Sequence, residues 1–333
     1  MTQLYDNFGR HITYLRLSVT DRCDFRCVYC MSEEMTFLPR QHILTLEEMT
    51  LIAQAFCELG IVKIRITGGE PLIRRNIEQL LHNISAIDSL DELTITTNGS
   101  QLLKYAQTLA DNGIQRINVS LDSLETDRFA ALTRTGRLSD VLQGIEAARN
   151  AGLHIKLNSV ILKNRNSHEV INLVAFALQH QMDISFIEEM PLGIINDHQR
   201  QEEFVSSADL RQQITAHYPL TASDKKTGGP SRYWQVESYH SHIGFISPHS
   251  DNFCASCNRL RVTAEGKLLL CLGNENHLDL RAIVRNDTLT TPLAKREQLK
   301  KSIIAAVQHK PEKHHFDVNG QPEIVRFMNM TGG

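Results

Sequence analysis

The sequence predicts an α/β fold, a partial (βα)6 TIM-like barrel with a smaller C-terminal subdomain. Three observations carry this. Short strand patterns alternate with longer helical ones between about residues 14 and 187. Polar residues recur in phase along the strands. The alternation then stops, and cysteine-bearing short strands follow.

Taken in order, YLRLSV (14–19) reads as the first strand. TLEEMTLIAQAFCELG (45–60) reads as a helix, with Thr45 as N-cap and Gly60 just past its end. KIRIT (63–67) is a strand, followed by a helix over roughly 76–87. LTIT (93–96) precedes a helix at 101–112, which stops before Gly113. INVSLD (117–122) precedes LSDVLQGIEAARNAG, whose apolar residues at 138, 141, 142, 145 and 148 keep helical spacing. HIKLNSV (154–160) precedes a helix at 168–180, and DISFIE (183–188) closes the series. A helix near 207–217 stops at Pro219, TGGP (227–230) is a turn, and a last helix is expected over about 292–308. These features divide the chain into a barrel, 1–220, and a C-terminal subdomain, 221–333.

The strand parity separates a curled sheet from a flat one. Arg16 and Ser18, Arg65 and Thr67, Thr94 and Thr96, Asn118 and Ser120, Lys156 and Asn158 occupy alternate positions between Leu, Ile and Val. A fully buried parallel sheet is apolar on both faces. A polar face repeated over five strands therefore requires a polar, wet cavity.

Composition narrows the function. Lys plus Arg (35) nearly balance Asp plus Glu (38), for a net charge of −3, which argues against a nucleic-acid backbone as partner. No apolar run reaches the ~18 residues that span a bilayer, and the N-terminus lacks the pattern of a secretory signal, so no membrane is expected and the location is expected to be cytoplasmic. Seven cysteines, an odd number, argue against a disulfide framework. Cys57 lies in an apolar helical run and reads as a buried thiol. The other six form two trios.

Cys23, Cys27 and Cys30 follow the first strand directly. Three thiolates on one loop suit an iron–sulfur cluster or part of a zinc site, for which His42 is the nearest fourth ligand in sequence. A four-iron cluster on three cysteines leaves one iron open for a small molecule. ITGGEP (66–71) ends the second strand, where its glycines let the backbone approach a ligand. The second trio, Cys254, Cys257 and Cys271, reads equally as a cluster site or as a zinc knuckle completed by His249 or His277. Arg259 and Arg261, spaced to share one side of a strand, lie between its members. With Arg16, Arg65 and Lys156 they suit a polyanion such as a triphosphate. KHHF (313–316) reads as a solvated run.

TDRCDFRCVYC resembles the CxxxCxxC signature of the radical S-adenosylmethionine (SAM) superfamily, and TGGEP resembles its methionine-binding motif. YLRLSVTDRCDFRCVYCM, RITGGEPLIRR, TTNG, INVSLDSL, FIEEMP, FCASCNRLRVTAEGKLLLCL and the C-terminal Gly-Gly extend the resemblance. They match the molybdenum cofactor biosynthesis protein A family, the GTP 3′,8-cyclases, over nearly the whole chain. The resemblance implies a radical SAM barrel with a C-terminal iron–sulfur subdomain, two [4Fe-4S] clusters and SAM as cofactors. It implies that GTP is cyclised between C3′ and C8. It assigns Tyr29, Gly69, Ser120 and Met190 to SAM. Arg16, Arg65, Thr96, Lys156, Arg259 and Arg261 go to GTP, and Arg16, Arg261, Gly332 and Gly333 to the catalytic centre. It further implies a low-potential electron donor, cyclic pyranopterin monophosphate synthase downstream, and a monomer or homodimer. The alternatives are a peptide-modifying radical SAM enzyme with an auxiliary cluster, and a zinc-binding regulatory module.

Overall fold

A computed structural model describes residues 3–195, 199–314, 316 and 324–332. Its frame is six parallel strands: β1 (Tyr14–Ser18), β2 (Lys63–Thr67), β3 (Glu92–Thr97), β4 (Arg116–Ser120), β5 (His154–Val160) and β6 (Asp183–Ile187). They pair in chain order, each with the next. The helices that return the chain are α1 (Leu46–Glu58), α2 (Ile77–Ser85), α3 (Leu102–Asp111), α4 (Thr126–Thr133), α5 (Leu138–Asn150) and α6 (Val170–Gln179). Helix α1 begins where expected: the Thr45 hydroxyl accepts from the Glu48 N–H, and the Glu48 carboxylate accepts from the Thr45 N–H. It ends before Gly60, whose φ of +94° lets the chain turn without a Cβ clash.

Helix α4 is one that periodicity does not announce. It has eight residues, and its buried side chains are Phe129, Leu132 and Thr133, too few to establish a helical stripe. The remaining helices are α7 (Arg200–Glu203), α8 (Ser207–Thr215), α9 (Leu280–Val284), α10 (Pro292–Val307) and α11 (Met328–Thr331).

The residues that alternate with the polar strand positions face the helices. Leu15, Leu17, Ile64, Ile66, Ile95, Ile117, Val119 and Leu157 join one core with Ile52, Phe56, Leu80, Leu109, Ile145 and Leu173. Each buried aliphatic chain of this kind contributes on the order of 1.5–3 kcal/mol against solvent exposure. That interior leaves no room on its side for the charged residues, which therefore all face the lumen.

The C-terminal strands do not form a sheet of their own. They are β7 (Leu220–Ser223), β8 (Arg232–Val236), β9 (His242–Ile246), β10 (Arg259–Val262), β11 (Lys267–Leu269) and β12 (His277–Asp279). Strand β9 pairs parallel with β6 at one edge, and β10 pairs parallel with β1 at the other. The result is one twelve-stranded sheet, ordered β12-β11-β10-β1-β2-β3-β4-β5-β6-β9-β8-β7. Both exposed edges of the six-stranded frame are thereby covered. Outside, α10 is tied to α1 by Arg296 and Lys300 on Glu58, at 3.0 and 2.9 Å. Among the described residues no helix is long and apolar enough to cross a membrane.

Candidate active site

The register converts strand parity into rows across the lumen. Arg261, Arg16 and Arg65 stand side by side on β10, β1 and β2. Thr96, Asn118 and Lys156 form a second row on β3, β4 and β5. Two cavities of about 1070 and 1090 Å3, mouths included, lie along this face, and Asn158, Ile187 and Met190 border both.

The first cavity holds the N-terminal trio. Cys23, Cys27 and Cys30 line it with Tyr29, Gly69, Ser120 and Met190, so every residue assigned to SAM lies together. The loop is fixed by the strand that follows it: the Gly69 N–H donates to the Thr20 carbonyl at 2.8 Å, and the Glu70 N–H to the Arg22 carbonyl at 2.8 Å. A Cβ on Gly69 would collide with the Arg22 carbonyl oxygen, so only glycine allows this approach. Tyr29 donates to Asp122 at 2.6 Å. Burial raises Asp122 to about 6. Burial also raises Glu70, to about 8, although it accepts from Leu72 N–H, Asn98 N–H and the Thr97 hydroxyl.

The second cavity is basic. Arg16, Arg65, Arg116, Lys156, Arg259, Arg261 and Lys310 line it, beside Cys254, Cys257 and Cys271. Burial, then the neighbouring Arg16 charge, hold Arg261 well below its ordinary value, and burial brings Arg16 down to about 10. Such crowded cations are stabilised when an anion joins them. Thr96, assigned to GTP, lines the first cavity, but its hydroxyl accepts from Arg65 Nη1 at 3.1 Å and so touches the border between the two.

The tail enters between the cavities. Asn329 donates to the Asp21 carbonyl at 2.7 Å, and the Gly332 carbonyl accepts from Arg261 at 2.8 Å and Arg16 at 3.4 Å. A Cβ on Gly332 would overlap Thr67, and its φ of +73° is also one that favours glycine. Gly333 lies outside the described residues.

The donor sets fit clusters better than single ions. Thiolates on one zinc ion at ~2.3 Å stand only about 3.8 Å apart. Among the described residues, Glu125, His168 and Glu169 alone form a His, Cys, Asp or Glu group with all ligand atoms within 4.8 Å, and neither cysteine trio does. The proposed fourth zinc ligands are also elsewhere engaged. His42 and His277 are exposed, and His249 bonds the Glu189 carbonyl through Nε2 at 2.8 Å. All seven cysteines are free thiols, and Cys57 is buried in α1. Three sulfurs spread wider than one ion allows fit a four-iron cluster with an open iron.

KHHF is solvated only in part: Lys313 is exposed, whereas His314 and Phe316 are half-buried. The rings of His314 and Phe316 pack 4.3 Å apart in the basic cavity, because the aromatic side chains cover the second trio. Sequence reasoning missed Tyr14, Lys63 and Arg116. Each lies two residues upstream of a polar position already identified, so the same parity carried back to the strand starts would have found them. Lys310 and Tyr233 had no such signal.

Two family signatures match the chain: Radical SAM superfamily over residues 17–177 and Molybdenum Cofactor Synthesis C over 182–316. A GTP 3′,8-cyclase of Saccharophagus degradans is 57% identical over 99% of this chain and 98% of that protein. The GTP 3′,8-cyclase 2 of Pseudomonas aeruginosa is 56% identical over 100% and 99%. The crystal structure of Streptococcus suis SuiB bound to S-adenosylmethionine shares the fold, with a TM-score of 0.65 at 16% identity, covering 97% of this chain and 78% of that one. At 56–57% identity over nearly the full length of both chains, the chain belongs to the GTP 3′,8-cyclase family of radical SAM enzymes.

Proposed function

We propose that this chain converts GTP to (8S)-3′,8-cyclo-7,8-dihydroguanosine 5′-triphosphate, the first step of molybdenum cofactor biosynthesis. The observation that carries the reading is the pairing of a thiol- and glycine-lined cavity with a basic one, abutting across Asn158, Ile187 and Met190.

Cys23, Cys27 and Cys30 would hold one [4Fe-4S] cluster, and Cys254, Cys257 and Cys271 a second. With SAM bound there, such a cluster would supply reductive cleavage of the sulfonium and thereby radical chemistry at C3′ of the ribose. The chain's own residues supply position. Gly69 admits the methionine part of SAM against the backbone, and Tyr29, Ser120 and Met190 border it. Arg16, Arg65, Lys156, Arg259 and Arg261 neutralise the triphosphate, with guanidinium forks matched to phosphate oxygens. Thr96 and Arg65 fix the border between the two ligands. The tail, held by Arg16 and Arg261, closes the lumen against water and oxygen, supported by the two covered sheet edges.

The reading further includes a low-potential electron donor, delivery of product to cyclic pyranopterin monophosphate synthase, a monomer or homodimer, and a cytoplasmic location. Anaerobic reconstitution tests it: about eight iron per chain is expected for two four-iron clusters. SAM cleavage stimulated by GTP and a cyclised nucleotide of unchanged mass should accompany it. A zinc-filled protein without SAM cleavage would overturn it.

A further inference from the structure

Two buried phenols, Tyr14 lining the basic cavity and Tyr233 behind its Lys156, are not used by the chemistry above. Tyr14 opens β1 and is 2% exposed. Its oxygen accepts from Arg65 Nε at 2.5 Å, and Lys63 Nζ lies 5.2 Å from its ring centroid. The register places it between Arg259 on β10 and Lys63 on β2. Tyr233, on β8, is also 2% exposed, and its oxygen accepts from Lys156 Nζ at 2.9 Å.

Arg65 and Lys156, both buried, are two of the cations the basic cavity offers to phosphate. A buried cation without an acceptor is costly, and a cavity of cations repels itself when its anion is absent. A phenol oxygen in each case occupies the place of an acceptor. The surroundings favour negative charge on that oxygen. Burial opposes ionisation of Tyr14, but the charges of Arg65, Arg16 and Lys63 outweigh it and bring the phenol down to about 7. Burial likewise opposes ionisation of Tyr233, yet Lys156 lowers it.

The other facing groups agree. Arg16 on β1 and Arg259 and Arg261 on β10 add positive charge near Tyr14. Glu92, at the start of β3, is bound by Lys63 and Arg116 at 2.6 and 2.7 Å. Near Tyr233 stand Lys225, 5.7 Å from the ring centroid, His242, 6.2 Å from it, and the Thr227 hydroxyl, 3.2 Å from its oxygen. Asp183, the adjacent carboxylate, is engaged by Lys225 at 2.6 Å.

We infer that Tyr14 and Tyr233 are displaceable counter-groups for Arg65 and Lys156: they hold these cations in the lumen until the triphosphate of GTP replaces them, and the phenols take up protons from solvent as it binds. The inference rests on the reading of the basic cavity as the triphosphate site. It makes both tyrosines positioning residues that act through the cations.

Calorimetric titration of the anaerobically reconstituted holoenzyme with GTP at pH 8, in two buffers of different ionisation enthalpy, counts the protons exchanged. Protonation of a phenol that titrates near 7 contributes an uptake of ~1 proton per GTP bound. The Y14F/Y233F variant should bind GTP with about that much less uptake, and Y14F alone should account for most of the difference. Proton release from GTP itself is common to all these proteins, so the difference isolates the phenols. Iron content equal to wild type shows that the variants are folded, and if the double variant fails this check the single variants carry the comparison. GTP binding with proton exchange unchanged by these substitutions overturns the inference. Failure of the wild-type holoenzyme to bind GTP overturns instead the assignment of the cavity.

Discussion

The two cysteine trios have the same number of sulfurs and different surroundings. Cys23, Cys27 and Cys30 occupy one loop, beside the acidic groups Asp24, Glu70 and Asp122. Burial raises all three thiols, Cys30 to about 12, and the nearby carboxylates push in the same direction. The second trio is assembled from two segments and is surrounded by cations. Arg10 donates to the Cys254 carbonyl at 2.9 Å, and Lys310 to the carbonyls of Arg259 and Leu270. Burial opposes ionisation of Cys257, but Arg259 and Lys310 bring it down to about 6. Near pH 7 the buried Glu70 keeps its proton while Asp122 is mostly ionised, so Asp122 supplies negative charge suited to a cationic sulfonium, and the cations around the second trio suit a triphosphate. The charged groups around each trio, rather than its ligand count, distinguish the two sites.

The largest way to break this comparison is to remove one sulfur from each side. Cys27→Ala should abolish SAM cleavage and, losing one four-iron cluster, leave about four iron per chain. Cys271→Ala should lose the same iron but retain SAM cleavage uncoupled from GTP; equal loss of cleavage in both would erase the distinction. Next, Arg259→Ala removes one charge-assisted contact, worth about 1.5–3 kcal/mol, so GTP turnover should fall on the order of 10- to 150-fold. Uncoupled 5′-deoxyadenosine formation should persist, and its parallel loss would contradict the assigned role.

Gly332→Ala tests the element that joins the two sites. The added Cβ meets Thr67, and the backbone at φ +73° resists it. The strain is ~1–2 kcal/mol, which corresponds to a loss of GTP turnover of about tenfold with iron content unchanged. The smallest effect is chemical. In cluster-free protein at pH 7, Cys257 is mostly thiolate because its folded value lies below that pH, while the raised thiols of the first trio stay protonated. Iodoacetamide labelling followed by peptide mass mapping should therefore find Cys257 modified before Cys23, Cys27 or Cys30.

Much of the first site was legible because it is local. Three cysteines within eight residues and a glycine turn at the end of the next strand are fixed by covalent spacing. Side-chain alternation does the same for Arg16, Arg65, Ser120 and Lys156, since a strand of period two has only two faces. Helix α4 escaped because its apolar stripe is short. Tyr233 and Lys310 escaped because nothing in their own segments marks them. Tyr233 reaches Lys156 across 77 residues of chain, and Lys310 reaches Leu270 across 40.

The amino-acid sequence by itself determined the repeating βα frame, the polar lumen face and the two incomplete thiolate sets, because each depends on periodicity or spacing along a few residues. The tertiary structure alone decided that β9 and β10 pair with opposite edges of that frame, and that the second trio and the tail therefore meet the first trio in one lumen. It also set the different electrostatic surroundings of the two trios, because Coulomb interactions act through space between side chains that the chain order keeps far apart.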